Sequence, residues 1–351
     1  MLPPLDWGPV TDTLTSRRPN PPLDRLVADL VPPPRFAQAR LENYIPDPRF
    51  PSQAAAKEQI GAFARGIGKP AGGGGLRGMF RKKPAAARGL YLDGGFGVGK
   101  THLLTSLFHA TEGHRVYGTF VEYTNLVGAL GFNRAIELFG DAILLCIDEF
   151  ELDDPGDTLL MTRLIRELSD RGVSIVATSN TLPEALGEGR FAAQDFLREI
   201  QTMSERFEVL RIDGHDYRRR DAVEEAPALD PELVASHAAA TPGATLDGFP
   251  ELLRHLATVH PSRYGAMLDG VSSVHLQDLA QIANHNDGLR FVVLVDRLYD
   301  REIPVLASGQ HAAQMYSAEL LASGYRKKYY RSLSRLSSLA RDGAALVTRN
   351  A

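Results

Sequence analysis

From Gly89 onward, short continuous apolar runs alternate with longer segments whose apolar residues recur every three or four positions. That texture predicts an α/β fold, a parallel sheet covered by helices. LYLD (Leu90 to Asp93) is a short buried strand, and Lys100 to Ala110 is a helix with Leu103, Leu104, Leu107 and Phe108 on one face. A strand at Val116 to Thr119 leads into a helix ending near Leu130. AILLCID (Ala142 to Asp148) is too uniformly apolar for an edge strand and is expected inside the sheet. The helix Asp157 to Arg171 buries Leu160, Leu164, Ile165 and Leu168 and stops at Gly172; VSIVATS (Val173 to Ser179) and FEVLRID (Phe207 to Asp213) add two strands.

The flanks read differently. Pro3 to Pro51 is proline-rich, with Pro32, Pro33 and Pro34 in succession, so only short helical pieces such as Leu23 to Leu30 fit between them. SQAAAKEQIGAFA (Ser52 to Ala64) reads as a helix with Ser52 as N-cap. Asp221 to Leu253 contains no Lys or Arg and is rich in Ala, Pro and acid, which reads as a linker or a loosely packed excursion. Order resumes at Phe249: Phe291, Leu294, Val295 and Leu298 keep helical spacing, Ile303 to Gly309 looks like a strand, and the last helix runs Tyr325 to Arg341. That helix carries Tyr329, Leu333, Leu336 and Ala340 on one side and Lys327, Arg331 and Arg335 on another. The expected division is an N-terminal extension (1–50), an α/β core (51–220), a linker (221–248) and an α-rich C-terminal region (249–351).

Composition narrows the class. Hydrophobic residues at 44% and charged residues at 23% of 351 positions fit an ordinary globular protein, not a disordered or fibrous chain. A net charge of −4 makes no general field for nucleic acid or membrane, so attraction to polyanions has to be local. The lone cysteine, Cys146, forms no internal disulfide and reads as a core residue; with no apolar run long enough for a signal or a span, the expectation is a cytoplasmic protein. Histidine spacing suggests no metal site. One local exception is the glycine-rich loop after the Ser52 helix: between Glu58 and Asp93 no acid occurs, while Arg65, Lys69, Arg77, Arg81, Lys82, Lys83 and Arg88 are all basic. It reads either as a solvated insertion or as an arm touching lipid headgroups, a peripheral membrane contact, or nucleic-acid phosphate.

The chemistry sits at strand ends. GGFGVGKT, from Gly94 through Gly95, Phe96, Gly97, Val98, Gly99 and Lys100 to Thr101, satisfies the G-x-x-x-x-G-K-[ST] pattern between an expected strand and an expected helix. Its glycines let successive N–H groups face a phosphate; Lys100 reaches the β- and γ-phosphates of ATP, and the Thr101 hydroxyl ligates Mg²⁺. Forty-eight residues after Lys100, an apolar strand ends in Asp148 and Glu149. Asp148 is placed to hold Mg²⁺ and Glu149 to orient or deprotonate the attacking water. A third strand ends at Asn180, thirty-two residues beyond Asp148, where its amide could hold that water.

These three elements in this order resemble the AAA+ class of P-loop ATPases. RGVSIVATSNTLPEAL, DGHDYRRR, LRFVVLVDRLYDREIPVLASG and YYRSLSRLSSL resemble the ZapE cell-division ATPase family, related to the mitochondrial AFG-like ATPases, over roughly Tyr44 to Leu339. The resemblance implies an ATP hydrolase that forms a homo-oligomer and engages division-ring proteins such as the tubulin-like FtsZ. Two alternatives stay open, a nucleotide-gated scaffold with incidental hydrolysis and an AAA+ loader acting on DNA, the latter weakened by the lack of any convincing helix-turn-helix or added basic domain. The family carries an arginine before Phe-Leu-Pro, a candidate finger; here Asp195 precedes Phe196 and Arg198 follows Leu197, so Arg198 and Arg190 are the alternatives. For a C-terminal nucleotide sensor Arg335 comes first and Arg290 second. Gln53 is either near the adenine or a solvent-facing helix residue.

Overall fold

The computed structural model describes residues 12–67, 89–95, 97–152, 155–186, 196–214 and 228–350. The basic loop, Phe96, Arg190 and Asp195 lie outside the described residues. The chain divides into two compact units, residues 23–220 and a second formed by residues 1–22 with 221–351.

The first unit opens with α1 (Leu23–Ala28) and α2 (Pro51–Gly66). Ser52 is not the N-cap: the helix starts at Pro51 after Phe50, with proline at the first position, where its missing N–H costs nothing. The Ser52 hydroxyl instead accepts from the Asp213 N–H at 2.9 Å. Then follow β1 (Gly89–Gly94), α3 (Lys100–Ala110), β2 (Arg115–Thr119), α4 (Phe120–Leu130), α5 (Phe132–Phe139), β3 (Leu144–Asp148), α6 (Pro155–Asp170), β4 (Ser174–Ser179), α7 (Leu197–Ser204) and β5 (Phe207–Ile212). The α4 start is fixed by a reciprocal cap, the Thr119 hydroxyl accepting from the Glu122 N–H and Glu122 accepting from the Thr119 N–H. The strands pair in parallel in the order β2-β3-β4-β1-β5.

Alternation along the strands feeds two cores. Leu90, Leu92, Leu144, Cys146 and Val176 pack with Leu103, Leu104 and Leu107 of α3 and Ile60 of α2. Tyr91, Leu145, Ile147, Ile175 and Ala177 pack with Phe120 and Tyr123 of α4, Ile136 of α5 and Leu164 and Leu168 of α6. A strand apolar on both faces has to lie inside the sheet, which is where β3 is found. At about 25 cal/mol per Å² of apolar surface, each such fully buried leucine contributes roughly 2 kcal/mol, before the entropy of ordering it is counted.

The second unit contains α8 (Pro231–Ala240), β6 (Ala244–Gly248), α9 (Phe249–Leu256), α10 (Tyr264–Met267), β7 (Ser273–Leu279), α11 (His285–Asp300), β8 (Val305–Gly309), α12 (Ala318–Ala322) and α13 (Arg326–Asn350). It is rich in helix, as expected, and it also holds a parallel sheet of order β6-β7-β8. Two boundaries of the sequence reading change. Described residues 228–248 are not a linker: Asp230 caps α8 through the Glu232 and Leu233 N–H groups, and β6 pairs with β7. Residues 12–22 belong with this unit because the buried Asp247 carboxylate accepts from Leu14 N, Thr15 N and Thr15 Oγ1, each at 2.9 Å, and Leu14 is fully buried in its core. On the other side of α13, Arg331 and Arg335 both reach the part-buried Asp296 carboxylate of α11, at 2.8 Å and 2.5 Å.

Candidate active site

The order of strands assembles the site. β4 lies between β1 and β3, so the carboxyl ends of all three, carrying Gly94, Asn180 and Asp148, stand side by side. Ligands of open parallel sheets bind at this edge. Gly94 ends β1, and α3 begins at Lys100, so its N-terminal end and free N–H groups face the loop between them.

Within the loop Gly97 and Gly99 take φ of +76° and +89°, angles that other residues resist. A side chain at Gly94 would collide with the Ile212 carbonyl of β5. The Lys100 ammonium, largely buried, donates to the Gly94 carbonyl (2.7 Å), the Gly95 carbonyl (2.6 Å) and Asn180 Oδ1 (2.7 Å). Lysine and Asn180, eighty residues apart in sequence, therefore meet directly.

Asp148 is buried at the end of β3, and its carboxylate accepts from three hydroxyls: Thr101 at 3.3 Å, Tyr117 at 2.8 Å and, in a short contact, Thr178. Burial, with the charge of Glu149 second, pushes its carboxyl above the usual carboxylate range, while the three hydroxyls pull the other way. A cation beside it would offset that cost. Thr101 and Asp148 supply two hard oxygen donors converging on one point, which suits Mg²⁺; that ion takes one or two protein oxygens and fills its shell with phosphate and water. Among the described residues no group of three or more His, Cys, Asp or Glu forms a separate metal cage.

Glu149 follows in the left-handed region, φ +55°, strained for a side chain of this kind, and its N–H donates to Thr178 Oγ1 at 3.1 Å. Phe150 N donates to the Thr178 carbonyl at 2.7 Å and continues the clamp. Thr178 thus holds Asp148 with its hydroxyl hydrogen and Glu149 with its hydroxyl lone pair. The sequence reading passed over Thr178 and Tyr117; the only signal for Thr178 was its place two residues before Asn180 in VATSN.

The other candidates fall elsewhere. Arg198 is exposed on the first turn of α7. Arg335 belongs to the second unit, where it pairs with Asp296 and stacks over Tyr299 at 5.1 Å. Although burial pushes the Asp296 carboxyl up, Arg331 and Arg335 together hold it below its ordinary value. Arg290 lies 3.7 Å from Asp287 in the same unit. Gln53 is not solvent-facing: it is buried, accepting from Asp47 N and donating to the Asp213 carbonyl, each at 2.8 Å.

A parallel sheet of order β2-β3-β4-β1-β5 with a phosphate loop after β1 and an acidic pair ending β3 defines a P-loop ATPase of AAA+ type. The chain belongs to the AFG1-like ATPase family, whose model matches residues 21–242 and 229–346, and it is an ATP hydrolase. It is similar to the cell division protein ZapE of Escherichia coli K12, 26% identical over 300 residues, covering 73% of this chain and 79% of that protein. Lactation elevated protein 1 homolog B of Danio rerio is 27% identical over 162 residues, 40% of this chain and 32% of that one. A crystal structure of the DnaC helicase loader overlaps 51% of this chain and 99% of its own at 20% identity, with a TM-score of 0.35. Among the described residues no helix is long and apolar enough to cross a membrane.

Proposed function

We propose that this chain is an Mg²⁺-dependent ATPase of the cell-division machinery that works in the cytoplasm as a homo-oligomer and spends ATP on remodelling a protein partner, the FtsZ ring. The convergence of Lys100, Thr101, Asp148 and Asn180 at one sheet edge carries the hydrolytic half of this reading. The likeness to ZapE over most of both chains supports the division half.

In this reading the Gly94–Thr101 amides and Lys100 hold the phosphates, Thr101 and Asp148 hold Mg²⁺, and Asn180 and Glu149 place the attacking water. Mg²⁺ would draw charge from the γ-phosphate oxygens. The remaining positive charge comes from a neighbouring subunit through Arg198 or Arg190, the latter outside the described residues. The test is pelleting of FtsZ polymers with wild type and Glu149→Gln, with and without ATP. Wild type changes the pelleted fraction only while ATP is turned over, and Glu149→Gln binds without changing it. A pelleted fraction indifferent to both proteins refutes the remodelling role.

A further inference from the structure

The peptide joining Val98 to Gly99 lies in the middle of the phosphate loop. Rotating it changes Val98 ψ and Gly99 φ, and glycine accepts either sign of φ, so the Gly99 backbone by itself does not select between the two forms. In that form a carbonyl oxygen would face the phosphate in place of an N–H, exchanging a donor for a repulsive acceptor. A selecting contact has to come from outside the loop.

Tyr44 makes that contact. Its hydroxyl donates to the Val98 carbonyl at 3.0 Å, and its ring fills the space a Gly99 side chain would need, 2.5 Å from the ideal Cβ position. Two contacts hold Tyr44 in turn: Lys57 Nζ of α2 donates to its carbonyl at 2.8 Å, and its ring lies 5.7 Å from that of His102, whose Nε2 bonds the Arg40 carbonyl at 3.1 Å. His109, two turns on along α3, bonds the Phe36 carbonyl at 3.1 Å, so the segment carrying Tyr44 is fastened along the phosphate-loop helix.

We propose that Tyr44 is the positioning residue of the phosphate loop. In a trans peptide the C=O and N–H point in opposite directions. Bonding the Val98 carbonyl to Tyr44 therefore turns the Gly99 N–H away from the tyrosine and into the concave side of the loop, ready for a phosphate oxygen. The inference rests on the reading that Gly94 to Thr101 holds the phosphates of ATP.

The experiment compares Tyr44→Phe, which keeps the ring and loses the hydroxyl, with Tyr44→Ala and Lys100→Ala in the full-length chain. Titrations use ATP, ADP and adenosine, alongside steady-state phosphate release. For Tyr44→Phe the expected result is a threefold to tenfold rise in Kd for ATP and ADP and in KM, the weight of about one buried hydrogen bond. The kcat and the affinity for adenosine stay at wild-type values, and Tyr44→Ala loses more affinity in the same direction. Unchanged Kd and KM in Tyr44→Phe overturn the proposal, as does an equal loss for adenosine, which carries no phosphate. Should Tyr44→Phe lose its fold at the assay temperature, the same variant titrated at low temperature, where it is folded, decides by the same ATP-to-adenosine contrast. Wild-type ATP affinity in Lys100→Ala would instead refute the phosphate-loop reading beneath it.

Discussion

Replacing Thr178 by Val leaves a side chain of nearly the same shape at a site that is 2% exposed and removes only the hydroxyl. Two interactions go with it: the donor to Asp148 Oδ1 and the acceptor for the Glu149 N–H. A hydrogen bond to a charged group contributes about 1.5–3 kcal/mol, and an N–H left without a partner costs about 1–3 kcal/mol where water cannot replace it. Glu149 is only part-buried, so water offsets much of the second loss, and the expected destabilisation is about 2–3 kcal/mol. The effect on rate is larger. Glu149 has a left-handed backbone held in place partly by this bond, and a shift of about 1 Å in a catalytic group costs on the order of a hundredfold. Phosphate release should show kcat down by about 10- to 100-fold, with KM for ATP within about threefold because Lys100 and the loop are untouched. Thr178→Ser restores the hydroxyl and should recover most of kcat. Wild-type kcat in Thr178→Val, or no recovery in Thr178→Ser, would refute the argument.

Lys100→Ala should abolish ATP binding, whereas Glu149→Gln should bind normally and hydrolyse very slowly; equal binding defects by calorimetry would contradict the division of roles. Specific activity should rise with protein concentration, and Arg190→Ala or Arg198→Ala mixed into wild type should poison it; a flat dilution series with both variants fully active removes the trans-acting arginine. The His275 ring, lowered to about 4 by burial and by the neighbouring His237, is held neutral in the fold. Its native pKa lies below the unfolded value of about 6.5, so the unfolded chain takes the proton first, and stability falls as pH drops from about 6.5 toward 4. Urea denaturation across that range should show a slope that His275→Gln flattens. Asp296→Ala removes the carboxylate shared by the buried Arg331 and the part-buried Arg335 and should cost about 2–3 kcal/mol, seen as a lowered denaturation midpoint with the second unit most affected.

The parts of the site readable in advance were those written in one stretch of sequence. GGFGVGKT carries its loop geometry in its own glycines, and Asp148 and Asn180 announce themselves by ending apolar runs. Tyr117, Thr178 and Tyr44 act across separations of 31, 30 and 54 residues, and each depends on which strands or segments become neighbours. No local pattern encodes that. Arg335, the candidate sensor, pairs with Asp296 thirty-nine residues earlier on another helix of its own unit, a partnership that the spacing along the last helix does not announce. The stretch before Phe249 was misread because its Ala, Pro and acid content hides a capped helix, Asp230 followed by Pro231, and a five-residue strand defined only by its partner β7.

The pairing of Asp247 with Leu14 and Thr15 bears on the order in which the chain acquires its structure during synthesis. Residues 23–220 form a contiguous unit, free to condense as soon as they leave the ribosome. The unit containing Asp247 uses residues from both ends of the chain, and β8 and α13 are the last of it to be made. Residues 12–22 must therefore wait, without their partners, while the ATPase core is already complete. A newly made molecule passes through an interval in which it has a formed phosphate loop and no finished second unit, and a chaperone or a premature stop acting in that interval would meet an enzyme core without its companion.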